Sequence, residues 1–372
     1  MTRKTALSLA FAATLLMPGL AAQAAEAPTV VTSIKPVHSL VASLMKGAGA
    51  PHLIVKDGGS PHSYSLKPSD AAALQKAKLV FWVGEELEVF LEESIETLAG
   101  DAEVVALAEA EGISLLPYRE GGPWAEHDDD GEHGHGEHEE HEHAEHAHEK
   151  HEGHAHEEHA EHAHEKHEEH AHEEHAEHAH EKHEEHAHEE HAHDEHAHGE
   201  MDLHIWLDPE NARAMAAAIA KALIAADPAN GELYRTNKAA LDQRLEALSA
   251  EITADIAAVK DAPFIVFHDA YQYMEHRFGL NTVGSITVSP ERQPGAARLR
   301  EIHEKIGELS ARCVFAEPQF EPRLVRTVVE GTAAKTGILD PLGADLKDGP
   351  DLYFELMRRN AESLRTCLGE SS

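Results

Sequence analysis

Cysteine, aromatic residues and basic residues are all scarce in this sequence of 372 residues. Only 31 side chains are Lys or Arg, against 69 that are Asp or Glu, and the formal net charge is −38. Proteins bind nucleic acids and anionic membrane surfaces through clustered basic residues that displace counterions. The composition therefore argues against a nucleic-acid partner and against direct lipid binding.

Long apolar runs are also missing, and the one pronounced run is short and lies at the N-terminus. Arg3 and Lys4 precede apolar residues 6–16, and the small residues Ala22 and Ala24 follow. This order is typical of a secretory signal peptide, and we expect cleavage after Ala24, so that residues 1–24 are removed. A retained anchor is the weaker alternative, because a membrane span needs about 20 apolar residues.

Export bears on the two cysteines, Cys313 and Cys367. In an oxidising compartment, two otherwise unused thiols are expected to pair, so we predict a disulfide between them. It would close a loop of about 55 residues, for which chain-entropy reasoning gives about 4 kcal/mol. A metal site built on these thiols is the competing interpretation, but two cysteines so far apart in sequence suit it poorly.

Histidine, in contrast, is abundant and concentrated in one segment. Residues 126–202 hold 27 of the 34 histidines, 30 of the 69 acidic residues and three lysines, a net charge of −27. A 16-residue unit that begins HAHEKHE occurs three times, from His146, His162 and His178. The segment has almost no apolar side chain larger than alanine to form a core, so we expect it to be disordered without metal.

Imidazole is a common ligand of zinc, copper and nickel, and the flanking carboxylates add ligands and a field that attracts cations. We therefore predict that this His-rich insertion binds up to about six zinc-like ions, at four histidines each. Its regularity and its internal position argue against a cloning tag or a mere acidic linker.

Outside the insertion, short β-branched or aromatic runs alternate with helical patterns. The predicted strands are residues 29–32, 53–55, 79–83, 104–107, 264–267, 283–286, 314–316 and 338–339. The predicted helices are residues 36–46, 69–78, 87–98, 270–278, 295–309, 322–335 and 351–366. Such alternation indicates βαβ units and parallel sheets. We therefore predict an α/β protein with two Rossmann-like lobes, at residues 25–229 and 262–372.

A long helix is predicted between the lobes. Asp208 and Pro209 supply an N-cap and a first-turn proline for a helix over residues 212–226. In the linking helix, residues 230–261, one apolar face is formed by Leu241, Leu245, Leu248, Ile252, Ile256 and Val259. This helix would extend roughly 45 Å and act as a rigid strut. A dimerising coiled coil needs more heptads, so we expect a monomer with limited lobe motion.

Three of the seven remaining histidines lie in informative contexts. His62 occurs in GGSPHSYSLKPSD, in a loop after a predicted strand, and His204 occurs in DLHIWLDP, directly after the insertion. His268 ends the strand in PFIVFHDAY. Open α/β sheets bind their ligands at this carboxyl end of the strands.

These segments resemble the substrate-binding proteins of ATP-driven zinc and manganese importers. PHSYSLKPSD, HIWLDPENA and FHDAYQY occur in the order of that family, the charged loop interrupts the expected place, and the resemblance covers essentially all of the mature chain. It implies a periplasmic protein, not an enzyme, that captures one metal ion between two lobes. It also implies delivery to a membrane permease that works with a cytoplasmic ATPase.

The resemblance further implies the ligands of that ion. In the family each segment contributes one histidine, here His62, His204 and His268, and an aspartate in a segment like GILDPLG, here Asp340, is commonly the fourth ligand. Some zinc members use water or a glutamate beside the first histidine, and that neighbour is Pro61 here, which favours Asp340. Three imidazoles and one carboxylate suit zinc, whereas manganese prefers an oxygen-rich shell.

The other polar residues near these motifs have weaker assignments. His38, His52, His276 and His303 lack a comparable context and are assigned to surface or core packing. Asp269 is a candidate either for orienting His268 or for capping a helix. Glu317 follows a strand and is a candidate for lining the cleft.

Two other functions remain open at this point. Three histidines with an open position also form catalytic zinc sites, so a secreted zinc hydrolase is one alternative. The sequence lacks His-Glu-x-x-His and Gly-x-Ser-x-Gly, which disfavours it. A free-standing periplasmic zinc buffer is the other.

Overall fold

The computed structural model describes residues 27–56, 58–119, 124, 201–287, 294–321 and 323–369. The predicted signal peptide, residues 1–24, lies outside the described residues, and so does the insertion up to residue 200. Among the residues that the structure describes, none of the helices combines the length and the apolar character of a membrane span.

The N-terminal half forms a parallel four-stranded sheet flanked by helices. Its elements are β1 (Val30–Thr32), α1 (Lys35–Leu44), β2 (His52–Leu53), α2 (Pro68–Leu74), β3 (Leu79–Trp82), α3 (Val89–Leu98) and β4 (Glu103–Ala106). The strand order is β2-β1-β3-β4. All four residues of β3 are buried, as expected for a central strand covered on both faces.

Two further short strands, β5 (Leu116–Pro117) and β6 (Met201–Asp202), pair antiparallel on either side of the insertion. The chain then makes a 3-10 turn at Ile205–Leu207 and enters α4 (Pro209–Ala226). The Asp208 side chain accepts a hydrogen bond from the backbone N–H of Glu210, and Pro209 is the first helical residue. The predicted N-cap is thus confirmed. β5 and β6 were not predicted, because two residues beside the insertion form too short a pattern to detect.

The linking helix is α5 (Gly231–Ile256), 26 residues long. The predicted apolar face is buried, including Leu241, Leu245, Leu248, Ile252 and Ile256. It packs against α4, α1 and the C-terminal helix of the same chain. Because this face is covered within one chain, it does not provide a coiled-coil surface.

The C-terminal half forms a second parallel sheet. Its elements are β7 (Phe264–His268), α6 (Gln272–Phe278), β8 (Thr282–Thr287), α7 (Ala296–Glu308), β9 (Cys313–Ala316), α8 (Arg323–Val329), β10 (Lys335–Ile338) and α9 (Leu352–Gly369). The strand order is β10-β9-β7-β8. Counted from the first strand of each half, both sheets have the order 2-1-3-4, so the predicted two-lobed α/β architecture is confirmed.

The region around β10 differs from the prediction. α8 ends at Val329 rather than at residue 335, and Gly331 follows with a positive φ of 80°. Residues 335–338 then pair with residues 313–316 of β9. This edge strand carries little apolar pattern, so pairing with β9 rather than local sequence sets its position.

The predicted disulfide is present. Cys313 at the start of β9 is bonded to Cys367 near the end of α9, with their Cα atoms 6.2 Å apart. It fastens the C-terminal helix to the second sheet.

Candidate metal centre

Three histidines from distant parts of the chain converge between the two sheets. One ring nitrogen from each of His62, His204 and His268 lies within 4.8 Å of the others, and the structure shows no other such group among the residues it describes. His62 lies in the loop after β2, His204 begins the 3-10 turn after β6, and His268 is the last residue of β7. These are the three histidines singled out in the sequence.

A buried carboxylate holds the ring of His204. Asp202 Oδ1 accepts hydrogen bonds from Nδ1 of His204 at 2.7 Å and from its backbone N–H at 2.9 Å. Because an ionised carboxylate is only an acceptor, Nδ1 carries the proton and the lone pair of Nε2 points into the cluster.

His268 is oriented in the same way from another strand. Glu317, one residue after β9, accepts a hydrogen bond from Nδ1 of His268 on its Oε1 at 2.6 Å. β7 and β9 are adjacent in the sheet although they are far apart in sequence. The pairing of these strands therefore places the Glu317 carboxylate beside His268.

The spacing of the two imidazoles suits a tetrahedral metal ion. Nε2 of His204 and Nε2 of His268 are 3.3 Å apart. Two nitrogens bound to zinc at about 2.05 Å with a tetrahedral angle lie about 3.3 Å from each other. Two lone pairs that face each other at this distance repel, and a cation between them removes the repulsion.

His62 closes the third side of the cluster. The centroid of its ring lies 5.4 Å from that of His204 and 5.9 Å from that of His268. Burial lowers the pKa of His62 well below its usual value, and the neighbouring His204 and His268 lower it further. His62 is therefore neutral, and able to bind a metal, at neutral pH.

The cavity at the cluster is small. Its volume is about 10 Å³, room for roughly one water-sized sphere, and Trp206, Phe320 and Leu342 contribute apolar walls. A single ion fits this space, whereas an organic molecule does not.

The structure does not bring Asp340 to this cluster. The Asp340 carboxylate instead accepts hydrogen bonds from the backbone N–H groups of Leu342, Gly343 and Ala344, at 3.0, 2.9 and 2.6 Å. It also accepts one from the side-chain amide of Gln319 at 2.8 Å. Asp340 thus shapes the turn that carries Leu342 to the wall of the cavity.

The remaining histidines lie outside the cluster. Nε2 of His52 is 3.0 Å from a carboxylate oxygen of Asp70, His303 contacts a backbone carbonyl, and His276 is exposed. His38 is buried, and that burial lowers its pKa.

Sequence reasoning missed one residue of the site and misplaced another. Asp202 was not selected, although its position two residues before His204 is the usual spacing for a side chain that bonds to nearby backbone. Asp269 does not cap α6, which was one of its two predicted roles. Its carboxylate pairs with Arg119, and Tyr271 occupies the cap position.

Comparisons with known proteins identify the family of the chain. The family model described as zinc-uptake complex component A, periplasmic, matches residues 30–367. The high-affinity zinc uptake system protein ZnuA of Brucella suis is 53% identical over 347 residues, which cover 93% of each chain.

Solved structures share the fold. A crystal structure of ZnuA has a TM-score of 0.65 at 21% identity, covering 92% of this chain and 99% of that one. A ZnuA deletion mutant with zinc bound has a TM-score of 0.64 at 19% identity, covering 93% and 100%. Because the family model spans most of the chain and the Brucella relative is so similar, this chain belongs to the family of the periplasmic A component of zinc-uptake complexes.

Proposed function

We propose that this protein captures one Zn²⁺ ion in the periplasm with His62, His204 and His268 and delivers it to the membrane permease of an ATP-driven importer. The observation that carries the proposal is the facing pair of Nε2 atoms, 3.3 Å apart, on two imidazoles that buried carboxylates orient. The name of the Brucella relative supports zinc as the cargo.

The donor set itself favours zinc. Neutral imidazoles suit zinc, whereas manganese prefers carboxylate, carbonyl and water oxygens. The carboxylates of Asp202 and Glu317 are hydrogen-bonded to Nδ1 of His204 and His268. The atoms that these two histidines offer to the ion are therefore their Nε2 nitrogens.

The fourth ligand is either water or Asp340. Coordination by Asp340 would require its carboxylate to leave three backbone N–H groups, and each unsatisfied buried group costs about 1–3 kcal/mol. These contacts favour water. Asp340→Asn should then change zinc affinity far less than loss of a histidine does.

The size of the cavity supports a binding role over an enzymatic one. A space of about 10 Å³ holds an ion but leaves no room for a substrate that a metal-bound water would attack. A free-standing zinc buffer would have the same site. Reconstitution with the permease and ATPase separates the two roles, because only a transport component stimulates zinc uptake into vesicles.

The His-rich insertion is proposed to bind further zinc ions more weakly than the cluster. Its histidines must be ordered around each ion, whereas hydrogen bonds to Asp202 and Glu317 already hold His204 and His268 in place. An insertion attached directly before His204 would raise the local zinc concentration beside the site.

Competition titration against a zinc chelator tests the proposal. Structural zinc sites bind with about 10–16 kcal/mol over four ligands, so each histidine contributes about 3 kcal/mol, or at least 100-fold in affinity. His62→Ala, His204→Ala and His268→Ala should each show this loss, and His276→Ala is the matched control. An unchanged affinity in any of the first three would remove that residue from the site.

A further inference from the structure

The two ends of the insertion meet in a small structure, β5 and β6, which we call the insertion root. Leu116 is paired with Asp202 across these strands. β5 precedes the insertion in the chain and β6 follows it. Any displacement of the root therefore acts on Asp202, the residue that orients His204.

One hydroxyl group joins the root to the second lobe. Tyr273, in the first turn of α6, accepts a hydrogen bond on its hydroxyl oxygen from the backbone N–H of Leu116 at 3.0 Å. The same hydroxyl donates to the backbone carbonyl of Asp202. Tyr273 is 2% exposed and its bond to Asp202 is buried, so the Asp202 carbonyl would not find water in place of the hydroxyl.

These contacts form a continuous link between two of the zinc ligands. Asp202 is held by Tyr273 through its backbone and holds His204 through its side chain. Tyr273 in turn lies five residues after His268, on the helix that follows the His268 strand. The hydroxyl thus ties the segment carrying one ligand to the segment carrying the other.

A second contact fastens the root at the same place. Arg119, two residues after β5, forms salt bridges with Asp269 and Glu275, both of which are buried. Its guanidinium also stacks on Trp124, 3.6 Å from the ring centroid. Asp269 directly follows His268, so this clamp anchors the root beside the second ligand.

We propose that Tyr273 is a positioning residue for zinc, which fixes the insertion root so that Asp202 keeps His204 at the metal-binding distance from His268. This rests on the proposed function of the histidine cluster. The two strands that flank the insertion are therefore part of the support of the site.

The test replaces Tyr273 with Phe in the full-length protein, with Tyr234→Phe as the matched control. Tyr234, on α5, is also fully buried, and Tyr234→Phe loses a single hydroxyl bond, to Asp227 at the end of α4 rather than to the root. Each protein is loaded with half an equivalent of Zn²⁺, so that the tightest site fills first, and dissociation is followed with excess chelator.

Tyr273→Phe should speed zinc dissociation by up to about tenfold, since partners bonded directly to metal-bound histidines contribute about 10- to 100-fold and Tyr273 acts one step further out, through Asp202. The absorption bands of the Co²⁺-loaded protein should also shift, because they report ligand geometry. Tyr234→Phe should lower thermal stability without changing either quantity. Equal dissociation rates and spectra in Tyr273→Phe and the wild type would overturn the proposal.

A second variant covers the case in which Tyr273→Phe does not fold. Arg119→Lys keeps a positive charge near Asp269 and Glu275 but loses the planar fork and the stacking on Trp124. Arg119→Lys should also speed zinc dissociation. An unchanged dissociation rate would count against the positioning role of the root. If the wild type itself lacks a tight zinc site, the proposed function fails instead.

Discussion

Glu317 offers a sharp test of how the site is built. Its Oε1 accepts hydrogen bonds from Nδ1 of His268 at 2.6 Å and from the backbone N–H of the same residue at 3.3 Å, and Glu317 is 3% exposed. Glu317→Gln keeps the shape and one accepting oxygen but removes the negative charge near the cation. Glu317→Ala removes both.

The two substitutions should have graded effects. Outer-shell partners of metal-bound histidines contribute about 10- to 100-fold in affinity, or about 1.4–2.7 kcal/mol. We expect about tenfold weaker zinc binding for Gln, because the hydrogen bond survives, and about 100-fold for Ala, which removes the bond between Glu317 and Nδ1 of His268. The metal-free Gln variant should be at least as stable as the wild type, since it no longer buries a charge.

Chelator competition measures the affinity, and calorimetry of the metal-free protein measures the stability. Glu88→Gln is the matched control, because Glu88 is also fully buried but accepts hydrogen bonds from backbone N–H groups of Val83 and Gly84. The reasoning is refuted if both Glu317 variants bind zinc as the wild type does. It is also refuted if Glu88→Gln weakens zinc binding equally.

Three further predictions concern other parts of the chain. Burial raises the pKa of Glu88 from 4.5 to about 7, so the folded protein keeps a proton that the unfolded chain releases above pH 4.5. The free energy of unfolding should fall by about 3 kcal/mol between pH 4.5 and 7 on this account, and Glu88→Gln should remove that part of the slope in denaturant titrations; identical slopes would contradict it. Replacing Cys313 and Cys367 with Ser should lower the free energy of unfolding by about 4 kcal/mol without changing zinc affinity, and labelling of denatured, unreduced protein should detect no free thiol. Deleting residues 126–200 should leave a folded protein with about one tight zinc ion, while the full-length protein binds several; calorimetric titration would show the opposite if the tight site disappeared.

Local sequence signals predicted most of the fold. The apolar face of α5 and the cap at Asp208 were predictable because helical periodicity and capping depend on residues only a few positions apart. The order of the strands in each sheet was harder to predict from the sequence. β10 was misplaced because its position is fixed by pairing with β9, about 20 residues earlier.

The same contrast applies to the site. His62, His204 and His268 were found through motifs that each span about ten residues. The bond between Glu317 and His268 joins residues 49 positions apart, and only the adjacency of β7 and β9 creates it. The role of Tyr273 likewise depends on where α6 meets the root, which no local pattern encodes.

The links between the two halves bear on how the ion leaves. The indole N–H of Trp206, two residues after His204, donates to the carbonyl of Pro341 at 2.7 Å. The Tyr353 hydroxyl donates to the carbonyl of Trp206 at 2.8 Å. Both bonds are buried, and each group left unpaired on opening would cost about 1–3 kcal/mol. A wide separation of the two lobes would therefore cost several kcal/mol of free energy.

His62 is held differently. Among the described residues, no carboxylate is hydrogen-bonded to its ring, whereas His204 and His268 each have one. We therefore expect release to begin with movement of the His62 loop, while α2 and α7 keep their separation. Pulsed EPR between spin labels on these helices, with and without zinc, would contradict this if their distance changed by several ångströms. After the ion has left, Asp202 and Glu317 would keep His204 and His268 close to their places, against the repulsion between the two facing lone pairs.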